Sequence, residues 1–142
     1  MRICIKTLNR TVKFRMINPN IQVVMLGITD ETSLLGHPKS GASWEGFALE
    51  QVLQTLLPAQ AYFWGTYSGP ELDLVFFQNG KRYGVEVKFN EAPHVTSSMR
   101  SAVKDLSLEH LWIVYPGKDE YPVEKIITTL PLANVGRIKA EL

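Results

Sequence analysis

Three acids and a lysine, Glu71, Asp73, Glu86 and Lys88, fall at one end of a hairpin that the sequence itself encodes. The two-residue turn Asn79-Gly80 joins the strand-like runs ELDLVFFQ (71–78) and KRYGVEVK (81–88), and such a turn fixes which residues face each other. Asp73 then lies opposite Glu86 and Glu71 opposite Lys88, all on one face, because alternate strand residues share a face. Carboxylates opposed at a cross-strand Cβ separation of roughly 4.5–5.5 Å repel unless water or a cation relieves them. An oxygen-rich pair of this kind suits a hard divalent cation, Mg²⁺ or Mn²⁺. Two blander accounts stand beside it: a solvated acidic face, and an ion pair in which Glu71 neutralises Lys88.

The elements around this hairpin must position those groups. Leu72, Leu74, Phe76, Val85, Val87 and Phe89 alternate with the acids and form a core side, while Val75, Phe77 and Gly84 extend the acidic face toward the turn. From Ser43 to Leu57 the apolar residues Leu49, Val52, Leu53 and Leu56 recur at helical spacing, with Ser43 as N-cap and Pro58 after the end. Glu45 shares the buried stripe of that helix, whereas Glu50 and Gln54 lie on the outer one. A first-turn glutamate is favoured by the helix dipole wherever it points. Its inward placement also lets Glu45 reach Asp73 and Glu86 if the helix packs over the hairpin.

Ala61–Thr66 reads as a strand entering the hairpin, and Met99, Ala102, Val103 and Leu106 define a second helix capped by Thr96 or Ser97. Arg100 and Lys104 lie on its exposed side, as solvated charge or as a phosphate contact. His110–Tyr115 is unbroken apolar and reads as a strand buried on both faces, and Lys125–Leu130 as a last strand closed by Pro131. Trp44, Trp64 and Trp112 are assigned to the core. The order helix, three strands, helix, strand, strand (α-β-β-β-α-β-β) implies an α/β fold with a mixed central sheet flanked by helices.

At 142 residues the chain has the length of one ordinary domain. A formal charge of +1 names no partner through bulk electrostatics, and the single Cys4 excludes an intramolecular disulfide and every Cys-based zinc pattern. No apolar run reaches the roughly 20 residues that span a bilayer, so no membrane is expected and the cytoplasm is the expected location. Residues 1–30 read as a divergent or truncated N-terminal segment before a domain over 31–142. Arg2, Lys6, Arg10, Lys13 and Arg15 precede the first acid, Asp30, and the segment reads as an edge strand pair (Ile3–Ile5 and Ile21–Leu26), an arm on a partner or a basic nucleic-acid contact.

A helix acid, Asp73, and then Glu86-Val87-Lys88 after twelve intervening residues resemble the PD-(D/E)XK restriction-endonuclease-like superfamily, with Leu72 in place of its proline. More narrowly, the pieces LLGHP (34–38), GASWEGF (41–47), YFW (62–64), ELD (71–73) and EVK (86–88) look like the C-terminal nuclease-like domain of a prokaryotic AAA-type ATPase family, without its ATPase module. The resemblance implies a restriction-endonuclease-like core in which Asp73 and Glu86 bind Mg²⁺ or Mn²⁺. It implies further that Glu45 assists from the helix as a third ligand, and that Lys88 orients or deprotonates the attacking water and stabilises charge on phosphate. The expected activity is metal-dependent hydrolysis of phosphodiester bonds in DNA or RNA. The alternative is a catalytically inactive interaction module derived from such a domain, acting as a homodimer or on a protein partner.

Overall fold

Asn79 and Gly80 both adopt left-handed backbone conformations, with φ of 52° and 76°, the geometry that matches a two-residue turn to the twist of its strands. The computed structural model describes residues 6–7 and 40–142 apart from Ser68. Strand β1 (Lys6–Thr7) precedes helix α1 (Ser40–Leu56), β2 (Ala61–Gly65), β3 (Glu71–Gln78), β4 (Lys81–Val87), α2 (Ser97–Asp105), β5 (His110–Tyr115), β6 (Tyr121–Glu124) and β7 (Ile127–Pro131). A 3₁₀ helix (Leu132–Arg137) and a short α3 (Ile138–Glu141) close the chain. The strands form one sheet in the order β1-β2-β3-β4-β5-β7-β6. β3 runs antiparallel to both of its neighbours, β2 and β4, whereas β4, β5 and β7 run parallel. The fold is therefore α/β with a mixed sheet, and the two layers of helix cover opposite faces.

α1 buries Ala48, Leu49, Val52, Leu53 and Leu56 against Leu74, Phe76, Val85, Val87, Trp112 and Val114. On the other face α2 inserts Met99 and Ala102, and its C-cap residue Leu106, among Leu72, Val75, Leu111, Ile113 and Ile127. The hairpin is thus covered on both sides, and Val75, expected on a partly covered acidic face, is fully buried. Trp64 and Trp112 are core residues as expected, and Trp44 packs at the core margin. Among the described residues no helix is long and apolar enough to cross a membrane.

Several expectations need correction. α1 starts at Ser40, so Ser43 is not its N-cap but a buried residue of the first turn. Packing of that turn on the end of the hairpin adds these residues: a Cβ on Gly41 would come within 3.3 Å of the Phe89 ring. The single strand expected over Lys125–Leu130 is the second arm of a hairpin, with β6 as an additional strand, and Pro131 is its last residue rather than its stop. β6 carries Pro122, which a sheet tolerates because β6 is the edge. Arg100 holds Glu124 of β6 at 2.7 Å, so one of the two exposed α2 cations is engaged within the fold. The expected strand pair Ile3–Ile5 and Ile21–Leu26, the boundary near residue 30 and His37 lie outside the described residues.

Thr96 caps α2 by accepting the Met99 N–H at 3.2 Å. The helix ends in a Schellman motif: Leu108 N–H donates to Val103 O and Ser107 N–H to Lys104 O. Ser107 occupies the left-handed position, with φ of 51°, which glycine adopts without steric cost. Replacing exposed Ser107 by Gly should raise stability by about 0.5–1 kcal/mol, the strain relieved less the added entropy of the unfolded chain. Urea unfolding checks this, and an unchanged or lower midpoint would refute it.

Candidate active site

The hairpin register observed from Gln78↔Lys81 to Leu74↔Val85 places Asp73 opposite Glu86, as the turn dictates. The pairing changes character there. Glu86 Oε2 accepts the Asp73 backbone N–H at 3.2 Å, and Asp73 Oδ2 accepts the Val87 N–H at 2.9 Å. Each carboxylate thus reaches across to an amide of the facing strand, which anchors two acids that would otherwise repel. Both are buried, at 5% and 6% exposure.

A β-bulge aims Asp73. Tyr62 pairs with Val75 and Trp64 with Leu72, so Asp73 and Leu74 together oppose Phe63, the two-against-one count that defines a bulge. The bulge also moves Leu72 off the face of Leu74 and Phe76, where alternation had placed it, onto the α2 side. Gly84 makes room for it. A Cβ at Gly84 would meet Leu72 Cδ2 and Leu108 Cδ1 at 2.8 Å and Leu111 Cδ1 at 3.0 Å. Because all three leucines are buried, Gly84→Ala should cost about 1–3 kcal/mol by overpacking. A denaturation midpoint equal to wild type would show that this layer yields.

Lys88 continues the line of β4, its N–H donating to Val114 O at 2.9 Å. Its ammonium lies 2.7 Å from Glu86 Oε1, with the lysine side chain 38% exposed. The ion pair defined for this lysine is therefore with Glu86, on its own strand, rather than with the cross-strand Glu71 of the sequence expectation. Glu71 meets α2 instead through its backbone, with its N–H donating to Ser98 Oγ at 2.8 Å. Glu45 arrives from α1 as its helical phase requires, and its Oε1 accepts the Phe89 N–H at 3.3 Å. Glu45, Asp73, Glu86 and Lys88 are thus brought together from three elements.

The electrostatics follow from burial. Desolvation, reinforced by the Asp73 charge and opposed by Lys88, pushes the Glu86 carboxyl up to about 7. Burial lowers the Lys88 ammonium, but Glu86, Asp73 and Glu45 outweigh it and raise the group above the ordinary lysine value. Lys88 therefore stays charged at neutral pH. Among the described residues the site sets the buried carboxylates of Asp73 and Glu86 beside one ammonium, that of the partly exposed Lys88.

Among the described residues no group of three or more His, Cys, Asp or Glu side chains is disposed to hold a metal ion. Asp73 and Glu86 nevertheless form an oxygen-only donor pair, and Mg²⁺ commonly binds through one or two carboxylates, with water and substrate phosphate completing its shell.

Comparison with known proteins identifies the domain. The profile of the domain of unknown function DUF4143 matches residues 40–135. The chain belongs to the DUF4143 family. This domain is often found with AAA ATPases. Its α1, β2, β3 and β4, and hence all four site residues, lie inside the matched region. The chain is also 43% identical over 111 residues to the uncharacterized protein Rv2008c of Mycobacterium tuberculosis and, to the same extent, to the uncharacterized protein Mb2031c of Mycobacterium bovis. Each alignment covers 78% of this chain and 25% of the relative, so the DUF4143 chain spans about a quarter of the length of the curated relatives it matches. No solved structure matches it.

Two features of the DUF4143 site escaped the sequence reading. The bulge at Asp73 and Leu74 leaves no mark in the hairpin pattern, because it is defined by β2, on the other side of β3. Phe89 continues the apolar alternation but is exposed, because β4 ends at Val87. The Asn90-Glu91 pair after it was the available signal that the strand stops there.

Proposed function

We propose that this domain is a metal-dependent phosphodiesterase acting on nucleic acid, with the restriction-endonuclease-like core that the PD-(D/E)XK resemblance implies. One observation carries the reading: two buried carboxylates, Asp73 and Glu86, face each other across adjacent strands, with an ammonium 2.7 Å from one of them. Folding pays to assemble such a cluster, and a bound cation would repay that cost. Asp73 and Glu86 would hold Mg²⁺ or Mn²⁺, with Glu45 adding charge from α1. When bound, such an ion polarises a phosphoryl oxygen and makes a coordinated water more acidic.

The chain's own residues supply the rest. Lys88, charged at neutral pH, suits stabilisation of the negative charge that grows on the phosphate better than removal of a proton from water. Backbone amides of Asp73 and Val87 keep both carboxylates oriented. Glu45 ties the chain just past Lys88 to α1 through the Phe89 N–H. The test is calorimetric titration of Mg²⁺ and Mn²⁺ into wild type and Asp73→Asn, followed by cleavage assays on single- and double-stranded DNA and RNA. Saturable binding present in wild type and lost in the variant supports the site. A folded wild type that takes up neither ion and cuts nothing sinks it.

A second reading draws on the Lys88–Glu86 pair, which already supplies Glu86 with a cation. In it the domain is a catalytically inactive interaction module whose acids are structural, acting as a homodimer or on a protein partner. Absence of divalent binding together with a stable homodimer or a defined protein complex would favour this reading.

A further inference from the structure

The side chain of the residue immediately after Lys88 has no part in the hydrolytic arrangement, yet it is an exposed aromatic. Phe89 is 44% exposed, and its ring is held in place rather than loose. Its backbone N–H is bonded to Glu45, its side chain lies against Gly41 of the first turn of α1, and its ring centroid is 5.6 Å from that of Trp44, tilted by 40°. Two aromatics therefore form a backed platform one residue along the chain from Lys88. Apolar area left in water at a fixed position is surface that a ligand gains by covering.

A π-face beside a cation matches the two chemically distinct parts of a nucleotide, the phosphate and the base. In a duplex each base is already stacked on both sides, so a base with a free face comes from a single strand or an extruded nucleotide. We propose that Phe89, backed by Trp44, stacks an unpaired nucleobase of the strand whose phosphate lies at Lys88, which makes single-stranded or locally opened nucleic acid the substrate class. The proposal rests on the hydrolytic reading of the same site. Phe89 is a substrate-positioning residue in it, and the base identity is not read because every base offers a π-face.

The test measures binding rather than cleavage, by fluorescence anisotropy of labelled oligonucleotides in EDTA and in millimolar Ca²⁺. The probes are a short homothymidine strand, an abasic strand of equal length and charge, and a duplex of the same length. Wild type should prefer the homothymidine strand to the abasic one by roughly fivefold or more, the range expected for loss of a stacking contact. Phe89→Ala should abolish that preference and Phe89→Tyr should retain it, with circular dichroism confirming both folds. Quenching of tryptophan emission by the homothymidine strand should accompany binding, since Trp44 is half-buried whereas Trp64 and Trp112 lie in the core. Equal affinity for the three probes, an undiminished preference in Phe89→Ala, or no binding of any probe overturns the proposal. Divalent-ion titration reports on the hydrolytic site independently: base preference without ion uptake would leave stacking standing and remove hydrolysis, and ion uptake without base preference would do the reverse.

Discussion

Asp73→Asn should leave the domain folded while removing divalent-ion binding and lowering phosphodiester cleavage by roughly 10³-fold or more, the scale expected when a directed electrostatic interaction with the reacting phosphate is lost. The amide is the informative replacement because its carbonyl oxygen can still accept the Val87 N–H that Asp73 Oδ2 now accepts at 2.9 Å. Alanine would leave that buried amide without this partner, at a cost of about 1–3 kcal/mol, and would confound loss of activity with loss of fold. Asparagine also removes the neighbouring charge that helps to raise Glu86, so the Glu86 carboxyl should titrate lower in the variant than in wild type. Unfolding midpoints and ion titrations on the same preparation decide the matter. A folded variant that binds Mg²⁺ as wild type does would remove Asp73 from the metal site.

The second large effect is on stability and pH. The Glu86 carboxyl stands at about 7 in the fold against an ordinary value of 4.5. Between those values the native state binds the proton and the unfolded chain has released it, so stability falls as pH rises through that window. At about 1.4 kcal/mol per unit, this one group should remove about 3 kcal/mol of stability between pH 4.5 and pH 7. His110 runs the other way: burial lowers it, so its neutral native form adds stability as pH rises toward its ordinary value. The Glu86 contribution is isolated by subtracting the profile of Glu86→Gln, which should be flatter over the same window. The Lys88 ammonium is partly exposed and can turn to water when its partner is neutral. Mg²⁺ added to wild type at pH 8 should recover stability by binding the native state alone. Parallel profiles for wild type and Glu86→Gln, measured by urea unfolding, would show that Glu86 is ionised in the fold at little cost.

These effects depend on a geometry that was only partly legible in the residues. The Asn79-Gly80 turn set the register without help from the rest of the chain, because positive φ at two successive positions admits one common hairpin geometry. The turn alone therefore pairs Asp73 with Glu86, independently of any tertiary contact. Helical phase likewise placed Glu45 on the inner stripe of α1, and the tertiary structure brings it to the end of β4. What alternation got wrong was Leu72, Val75 and Phe89. Period two assumes an unbroken strand with one wet face, and here a bulge, a second covering helix and the end of β4 each break that assumption.

Sequence alone determined the turn, the hairpin register, the amphipathic phase of both main helices and the α/β class, because each is encoded by local spacing and local backbone preference. Tertiary structure decided the rest: that α2 buries the supposedly acidic face, that β6 guards the sheet edge, and that Lys88 turns back to Glu86. It also decided that the carboxylates are dry enough for Glu86 to hold its proton near neutrality. Burial and bulges are properties of neighbours distant in sequence, and no local pattern carries the desolvation that turns two opposed acids into a site.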